Sequence, residues 1–265
     1  RNAARDHAAR RRSAVRRVRL NAREFLDRRG HWLALPAGAS LAAAFAPAGL
    51  APLAVLCPAI LFLLWDGATP RAAAWRGFLF TGGTFLAGTY WLYHSIHLVG
   101  QAPLWIALFI MLGLVALMGS YTAALGYAVS RWGPPRGAAR WLVLLPAAWV
   151  LVEWFRGWFL SGFPWLALGY SQLGTPLRGL APVAGVYGVS FGTALLAGAL
   201  VTLLLGGRAA RVVAVAASVS VVAAAALLGP VEWTEPRGTQ VSVALVQGAV
   251  PQAMKWAPGQ RERTI

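Results

Sequence analysis

Between residues 32 and 229 this sequence consists of apolar runs, parted by short breaks that hold arginine, glycine or proline. A helix needs about 20 apolar residues, within a range of about 17–25, to cross the hydrocarbon layer of a bilayer. Seven runs reach or approach that length, over residues 32–47, 51–66, 73–97, 103–130, 141–160, 182–206 and 211–229. The first two are short. Phe45-Ala46-Pro47-Ala48-Gly49-Leu50-Ala51-Pro52 between them forces a turn and predicts a hairpin of tilted spans. The predicted fold class is therefore an α-helical polytopic membrane bundle of about seven transmembrane helices. Composition excludes the competing classes. Only 12% of residues are charged, against about a quarter in soluble domains, and 58% are hydrophobic. Disorder needs low hydrophobicity. A disulfide scaffold needs more than the single Cys57.

Charge placement supplies the orientation. The chain carries 24 Lys+Arg against 8 Asp+Glu, a net of +16. Residues 1–30 alone hold eleven arginines (Arg1 to Arg29) against Asp6, Glu24 and Asp27. No basic groove with interleaved aromatics appears, so no nucleic-acid partner is expected. A basic tail next to the first span belongs on the cytoplasmic side. The breaks on that side then hold Arg71 and Arg76, Arg131, Arg136 and Arg140, and Arg208 and Arg211, whereas those on the opposite side hold Arg178. Trp65, Trp75, Trp132 and Trp141 flank the inner breaks, as an interfacial aromatic belt would. An odd number of spans places everything after residue 230 outside. No secretory signal peptide is read, because the run at 32–47 is followed by further spans.

Residues 231–265 change character. Thr239–Gln247 has β-branched residues in partial alternation and predicts a buried strand. Pro258-Gly259 turns the chain, and Gln260–Arg263 reads as the start of a polar helix. Strand, loop and helix open an α/β unit. The sequence thus divides into a basic tail over 1–30, a transmembrane domain over 31–230 and an incomplete α/β unit over 231–265. The chain starts without Met and ends in mid-pattern, so it is expected to be part of a longer protein.

Few residues bear chemistry. Glu153 and Arg156 stand three apart in the fifth run, hence on one helix face, and form a candidate ion pair, structural or functional. The next segment, Ser161-Gly162-Phe163-Pro164-Trp165-Leu166-Ala167-Leu168-Gly169-Tyr170-Ser171-Gln172, is apolar and aromatic, yet its glycines and proline oppose a helix. Non-helical backbone at a membrane is tolerated where protein covers it or where it lines a cavity. An apolar cavity with a wet edge suits an acyl chain or a lipid head group, and a covering loop is the alternative. His94 and His97 share a helix face, but no third ligand lies nearby in sequence, so interfacial hydrogen bonding is expected and no metal or cofactor. Cys57 lies in an apolar run with no basic neighbour, which disfavours the reactive thiolate.

Taken in order, several motifs resemble the apolipoprotein N-acyltransferase family. They are Glu153-Trp154-Phe155-Arg156-Gly157-Trp158, Ser161-Gly162-Phe163-Pro164-Trp165, Gly169-Tyr170-Ser171-Gln172, Gly179-Leu180-Ala181-Pro182, Gly185-Val186-Tyr187-Gly188, Val246-Gln247-Gly248, Pro251-Gln252 and Lys255-Trp256. The likeness covers most of the chain and is weakest over residues 1–30. It implies a multi-pass enzyme of the bacterial inner membrane, with its bundle joined to a periplasmic nitrilase-like α-β-β-α domain. It also implies the partners: a phospholipid as acyl donor and the N-terminal amine of a diacylglyceryl apolipoprotein as acceptor. The family's Glu-Lys-Cys triad works through a thioester, with the glutamate as general base and the lysine stabilising the tetrahedral intermediate. Here the family's Trp-Pro-Glu motif is missing. It would follow about twenty to thirty residues after Trp256, beyond Ile265. Glu262 falls at a helix start and is given no such role. The resemblance therefore implies no catalytic residue in this chain, and residues 1–265 alone are expected to be inactive. It does imply substrate binding at Trp165 and Trp256, near the lipid entrance, and in the Gly162, Pro164 and Tyr170 segment around them. A transporter lined by Glu153 and Arg156, or a lipid-binding membrane protein, are the alternative readings.

Overall fold

The computed structural model describes residues 30–247, which form an α-helical bundle. Helix α1 covers residues 30–41 and closes in a 3-10 turn, Ala42–Ala44. After the proline-rich turn come α2 (Leu53–Trp65) and α3 (Pro70–Gly88). Thr69 caps α3 by accepting from the Ala72 N–H at 3.3 Å, and Pro70 occupies the first turn, where no backbone donor is needed. A short helix, α4 (Trp91–Tyr93), widens into a π turn over His94–Val99. Helix α5 (Leu104–Arg131) follows, then a π turn (Arg140–Leu144) that runs into α6 (Leu145–Arg156). Three 3-10 turns, Phe159–Ser161, Leu168–Gln172 and Pro176–Leu180, lead to α7 (Ala181–Leu205) and α8 (Arg208–Leu228).

Among the described residues three segments are long and apolar enough to cross a membrane: Leu104–Arg131, Pro176–Leu205 and Arg208–Leu228. Their burial separates their roles. The apolar window of the second is 56% buried, against 17% and 11% for the others, so α7 is the central helix while α5 and α8 keep broad apolar faces outward. Broad apolar faces turned outward fit contact with lipid. Helix α2 is apolar over 13 residues.

Small residues let the helices approach closely. A Cβ on Gly77 of α3 would stand 2.6 Å from the Thr122 carbonyl, and one on Gly126 of α5 would stand 2.6 Å from the Ala73 carbonyl. Close backbone packing on glycine is the membrane solution to helix association, where no hydrophobic gain separates helix from lipid. The Trp65 indole, 1% exposed, donates to the Ala73 carbonyl at 2.8 Å, and Thr81 donates to Thr122 at 2.8 Å. Phe62 and Phe80 meet the Trp149 ring edge-on at 6.3 and 6.2 Å.

The breaks between helices gather in two groups. In one, Arg136 pairs with Asp66 at 2.9 Å, joining the break after α5 to that after α2, and Ala138 packs on a cluster with Ala214 of α8. In the other, Gln172 donates to the Ala51 carbonyl at 3.4 Å, and the Trp91 and Trp165 rings lie 5.5 Å apart.

Several expected boundaries differ. The run at 73–97 is two helices, because α3 stops at Thr89, which has left the helical region (φ −123°, ψ 17°) and whose hydroxyl donates back to the Phe85 carbonyl at 2.6 Å. The run at 141–160 ends its α-helix at Arg156, before Gly157. Gly185 at φ +62° interrupts the first turn of α7. The strand expected over 239–247 is not formed: residues 231–247 carry no regular structure, and Leu245 and Val246 are each 94% exposed. A strand without a neighbour has nowhere to direct its backbone hydrogen bonds, and the described residues include none to pair with it. The basic tail, Trp256 and the turn at Pro258-Gly259 lie outside the described residues.

Candidate functional site

The segment from Gly157 to Gln172 refuses helix for local reasons. Gly162 holds φ +78°, and a Cβ there would collide with the Gly157 backbone. Leu160, Ser161 and Leu166 also hold positive φ (52°, 73° and 56°), a conformation L residues adopt only when their surroundings fix it. Those surroundings are visible. The Phe163 N–H donates to the Arg156 carbonyl at 2.7 Å, and the Arg156 guanidinium donates to the Trp165 carbonyl at 2.7 Å. The Leu168 N–H donates to Glu153 Oε1 at 2.9 Å, and the Gly169 N–H donates to Ser190 Oγ at 2.8 Å. Ser171 donates to the Leu168 carbonyl at 2.6 Å, and Gln172 donates to Ser171 at 2.9 Å. Each of these backbone groups of the irregular stretch thereby gains a partner that a helix would otherwise have supplied.

The segment walls a cavity of about 820 Å³. Pro164, Trp165, Leu166 and Tyr170 form one side. The turn from Phe45 to Ala48 forms another, and Ala87, Gly88, Tyr90 and Trp91 the third. Alanine and aromatic carbon dominate the lining. Trp165 is 48% exposed, stacked on Phe163 at 6.0 Å and tilted on Trp91 at 5.5 Å. Such rings offer an apolar face to the cavity and a polar edge to water.

A second, much smaller void of about 30 Å³ lies behind it, with Leu166 on both linings. Thr81, Thr84, Thr122, Glu153 and Arg156 give this void its polar groups. Glu153 is 3% exposed. Its Oε1 accepts from the Trp149 indole at 2.8 Å as well as from Leu168, and its Oε2 has no partner among the described residues. Arg156 is 6% exposed, with its guanidinium carbon 5.2 Å from the centre of the Phe85 ring.

Of the residues singled out in sequence, Pro164, Trp165 and Tyr170 meet on one wall. Gly162 makes the turn that presents them without lining the cavity. Glu153 and Arg156 share the void but reach for different partners, and no salt-bridge contact joins them; the spacing that suggested an ion pair leaves each side chain aimed at the following loop. His97 donates from Nδ1 to the Ala102 carbonyl at 2.7 Å and packs on Tyr93 at 5.2 Å. Cys57 is buried. Sequence reasoning missed Tyr90, Trp91 and the turn from Phe45 to Ala48 as cavity walls. The one signal for Tyr90 and Trp91 was the run of aromatics before His94, and for Phe45–Ala48 the proline turn.

Comparison with known proteins gives a consistent result. A family model described as the apolipoprotein N-acyltransferase N-terminal domain matches residues 37–199. The apolipoprotein N-acyltransferase of Methylococcus capsulatus is 40% identical over 233 residues, covering 88% of this chain and 46% of that protein. That of Azotobacter vinelandii is 44% identical over 234 residues, covering 87% and 45%. That of Coxiella burnetii is 39% identical over 228 residues, covering 85% and 47%. The chain thus spans about half the length of the curated relatives it matches.

Proposed function

The chain belongs to the apolipoprotein N-acyltransferase family, and from that premise we propose that residues 31–230 are the membrane domain that receives the phospholipid donor for N-acylation of apolipoproteins. The observation that carries this reading is the 820 Å³ cavity, whose wall holds Pro164, Trp165 and Tyr170 beside an alanine-rich floor. A lipid already in a bilayer gains no hydrophobic energy by entering such a cavity, so the walls act by shape and by the wet edge of their aromatics. In this reading the acyl chain lies along the alanines, and the ester stays near the exposed edge of Trp165. That places the bond to be broken at the water boundary, where positioning lowers the barrier before any chemistry begins.

The same reading sets the topology. Seven passes put the break holding Asp66 and Arg136 in the cytoplasm and the cavity on the periplasmic side of the bacterial inner membrane. The two groups of breaks support it: every contact named between breaks joins members of one group. The diacylglyceryl apolipoprotein would approach from the periplasm. Residues 231–265 would belong to the start of the family's nitrilase-like domain. The family's Glu, Lys and Cys are assigned to no residue of this chain, and residues 1–265 alone are read as inactive.

The test is photolabelling of the purified chain in phosphatidylethanolamine nanodiscs with a phospholipid that carries a diazirine on its acyl chain. Labelled peptides should map to residues 164–170 and 87–91. Trp165→Ala should lower that labelling by up to about tenfold, the worth of one aromatic contact. Labelling confined to the outer faces of α5 and α8 would refute the reading.

A further inference from the structure

Glu153 and Arg156 are both more than nine-tenths buried, yet neither lines the large cavity. What they touch is the backbone behind its wall. Counting along the chain, the wall segment is held at Phe163 by the Arg156 carbonyl, at Trp165 by the Arg156 guanidinium, and at Leu168 by the Glu153 carboxylate. Between these holds lie Pro164, Trp165 and Leu166, the three consecutive residues that line the cavity. Leu166 sits at φ +56°, which a free loop would not maintain.

We propose that Glu153 and Arg156 are positioning residues, a two-sided clamp that fixes the Pro164–Leu166 wall and so sets where Trp165 meets the donor lipid. The inference rests on the cavity being the donor site. Charge suits the task, because hydrogen bonds to ionised groups are shorter and stronger than neutral ones. Opposite charges on one void also offset part of each other's burial, whereas a single one would stand uncompensated. Trp149, four residues before Glu153, aims the carboxylate by donating to the same oxygen that Leu168 uses. The arrangement differs from a transport pathway in one respect: the hydrogen bonds of both side chains go to protein backbone and indole rather than into open space.

The experiment uses the full chain in nanodiscs, with amide exchange followed by mass spectrometry beside diazirine-lipid labelling and thermal unfolding. Glu153→Ala should raise exchange at Leu168 on the order of tenfold to a hundredfold, as for loss of a charged hydrogen bond, and Arg156→Ala, by freeing the Trp165 carbonyl and loosening the wall, should raise exchange severalfold at Phe163, whose N–H is bonded to the Arg156 carbonyl. Exchange in α2 and α7 should stay as in the parent, and labelling at 164–170 should fall severalfold. Glu153→Gln keeps an acceptor and Arg156→Lys keeps a charged donor. Both should retain most of the protection and of the labelling, which also decides the matter if the alanine variants fail to fold. Unchanged exchange at Leu168 in a folded Glu153→Ala protein overturns the clamp. So does loss of labelling in Glu153→Gln or Arg156→Lys with protection intact, since the side chains would then meet lipid directly. Absence of labelling at 164–170 in the parent chain, with the exchange changes present, refutes the donor-site reading and leaves the clamp as a fold device.

Discussion

Gly169 tests how the cavity wall is fastened to the central helix. Its N–H donates to Ser190 Oγ at 2.8 Å, and Ser190 is fully buried. A Cβ at position 169 would collide with the Val186 carbonyl oxygen and stand 2.8 Å from Val186 Cγ2 and 3.2 Å from Ser190 Oγ. The carbonyl cannot retreat, because it belongs to the backbone of α7. In Gly169→Ala the Leu168–Gln172 turn must therefore lift away. Overpacking of this kind costs about 1–3 kcal/mol, and the orphaned N–H adds about 1–3 kcal/mol, so the variant should lose about 2–6 kcal/mol. Ser190→Ala removes only the acceptor and should lose about 1–3 kcal/mol. Once the added methyl group has lifted the turn, the serine has nothing left to accept. The double variant should then fall short of the sum of the singles by about 1–2 kcal/mol, as expected for groups in contact. Equilibrium unfolding in mixed micelles, followed by circular dichroism, measures all three. Lipid labelling should fall in step, because Tyr170 rides on the same turn. Additive losses, or a Gly169→Ala protein within about 0.5 kcal/mol of the parent, would refute the argument that close backbone approach requires this glycine.

Two glycines of α5 make a matched pair for the same assay. Gly126→Ala should destabilise by about 1–3 kcal/mol by pushing the Ala73 carbonyl away, whereas Gly113→Ala, with nothing within 4 Å of the new Cβ, should be neutral or gain up to about 1 kcal/mol. The ion pair in the other group of breaks is sheltered on one side only. Arg136 is 40% exposed but the Asp66 side chain only 5%, so Arg136→Ala leaves a sheltered carboxylate without its partner and should cost about 1–3 kcal/mol, read as a shift in thermal unfolding, with a smaller loss in about 1 M salt.

The helices were legible because lipid imposes one rule everywhere: a backbone that cannot reach water must satisfy itself. Apolar length therefore located the bundle, though not the points where α3 breaks at Thr89 or where turns widen at His94 and Arg140. Those depend on local contacts between side chains and carbonyls, which carry no period. The cavity was legible on one wall only. Pro164 marked the segment by opposing helix inside an apolar stretch, and the family resemblance pointed to Trp165 and Tyr170 within it. The walls from Phe45 to Ala48 and from Tyr90 to Trp91 lie more than seventy residues away along the chain, and nothing local marks their meeting. The helical spacing of Glu153 and Arg156 was read as a pair; that they grip a later loop is a tertiary fact.

The strongest conflict between local preference and observed structure falls on the wall and the turn that leads into it. Three non-glycine residues, Leu160, Ser161 and Leu166, hold positive φ within a short distance along the chain of two buried charges. Left to itself such a stretch would relax, and its chain would regain conformational freedom worth about 1–2 kcal/mol per residue. It does not relax because its hydrogen-bonding groups are already committed to α6 and α7, elements held by their own packing. The ring of Trp165 can then stand half exposed while its carbonyl is locked. The donor-lipid role proposed for Trp165 needs both properties, since a mobile backbone would let the ring sink into the apolar cavity. Under that proposal the burial of Glu153 and Arg156 and the exposure of Trp165 answer one requirement: a rigid frame that presents a wet edge.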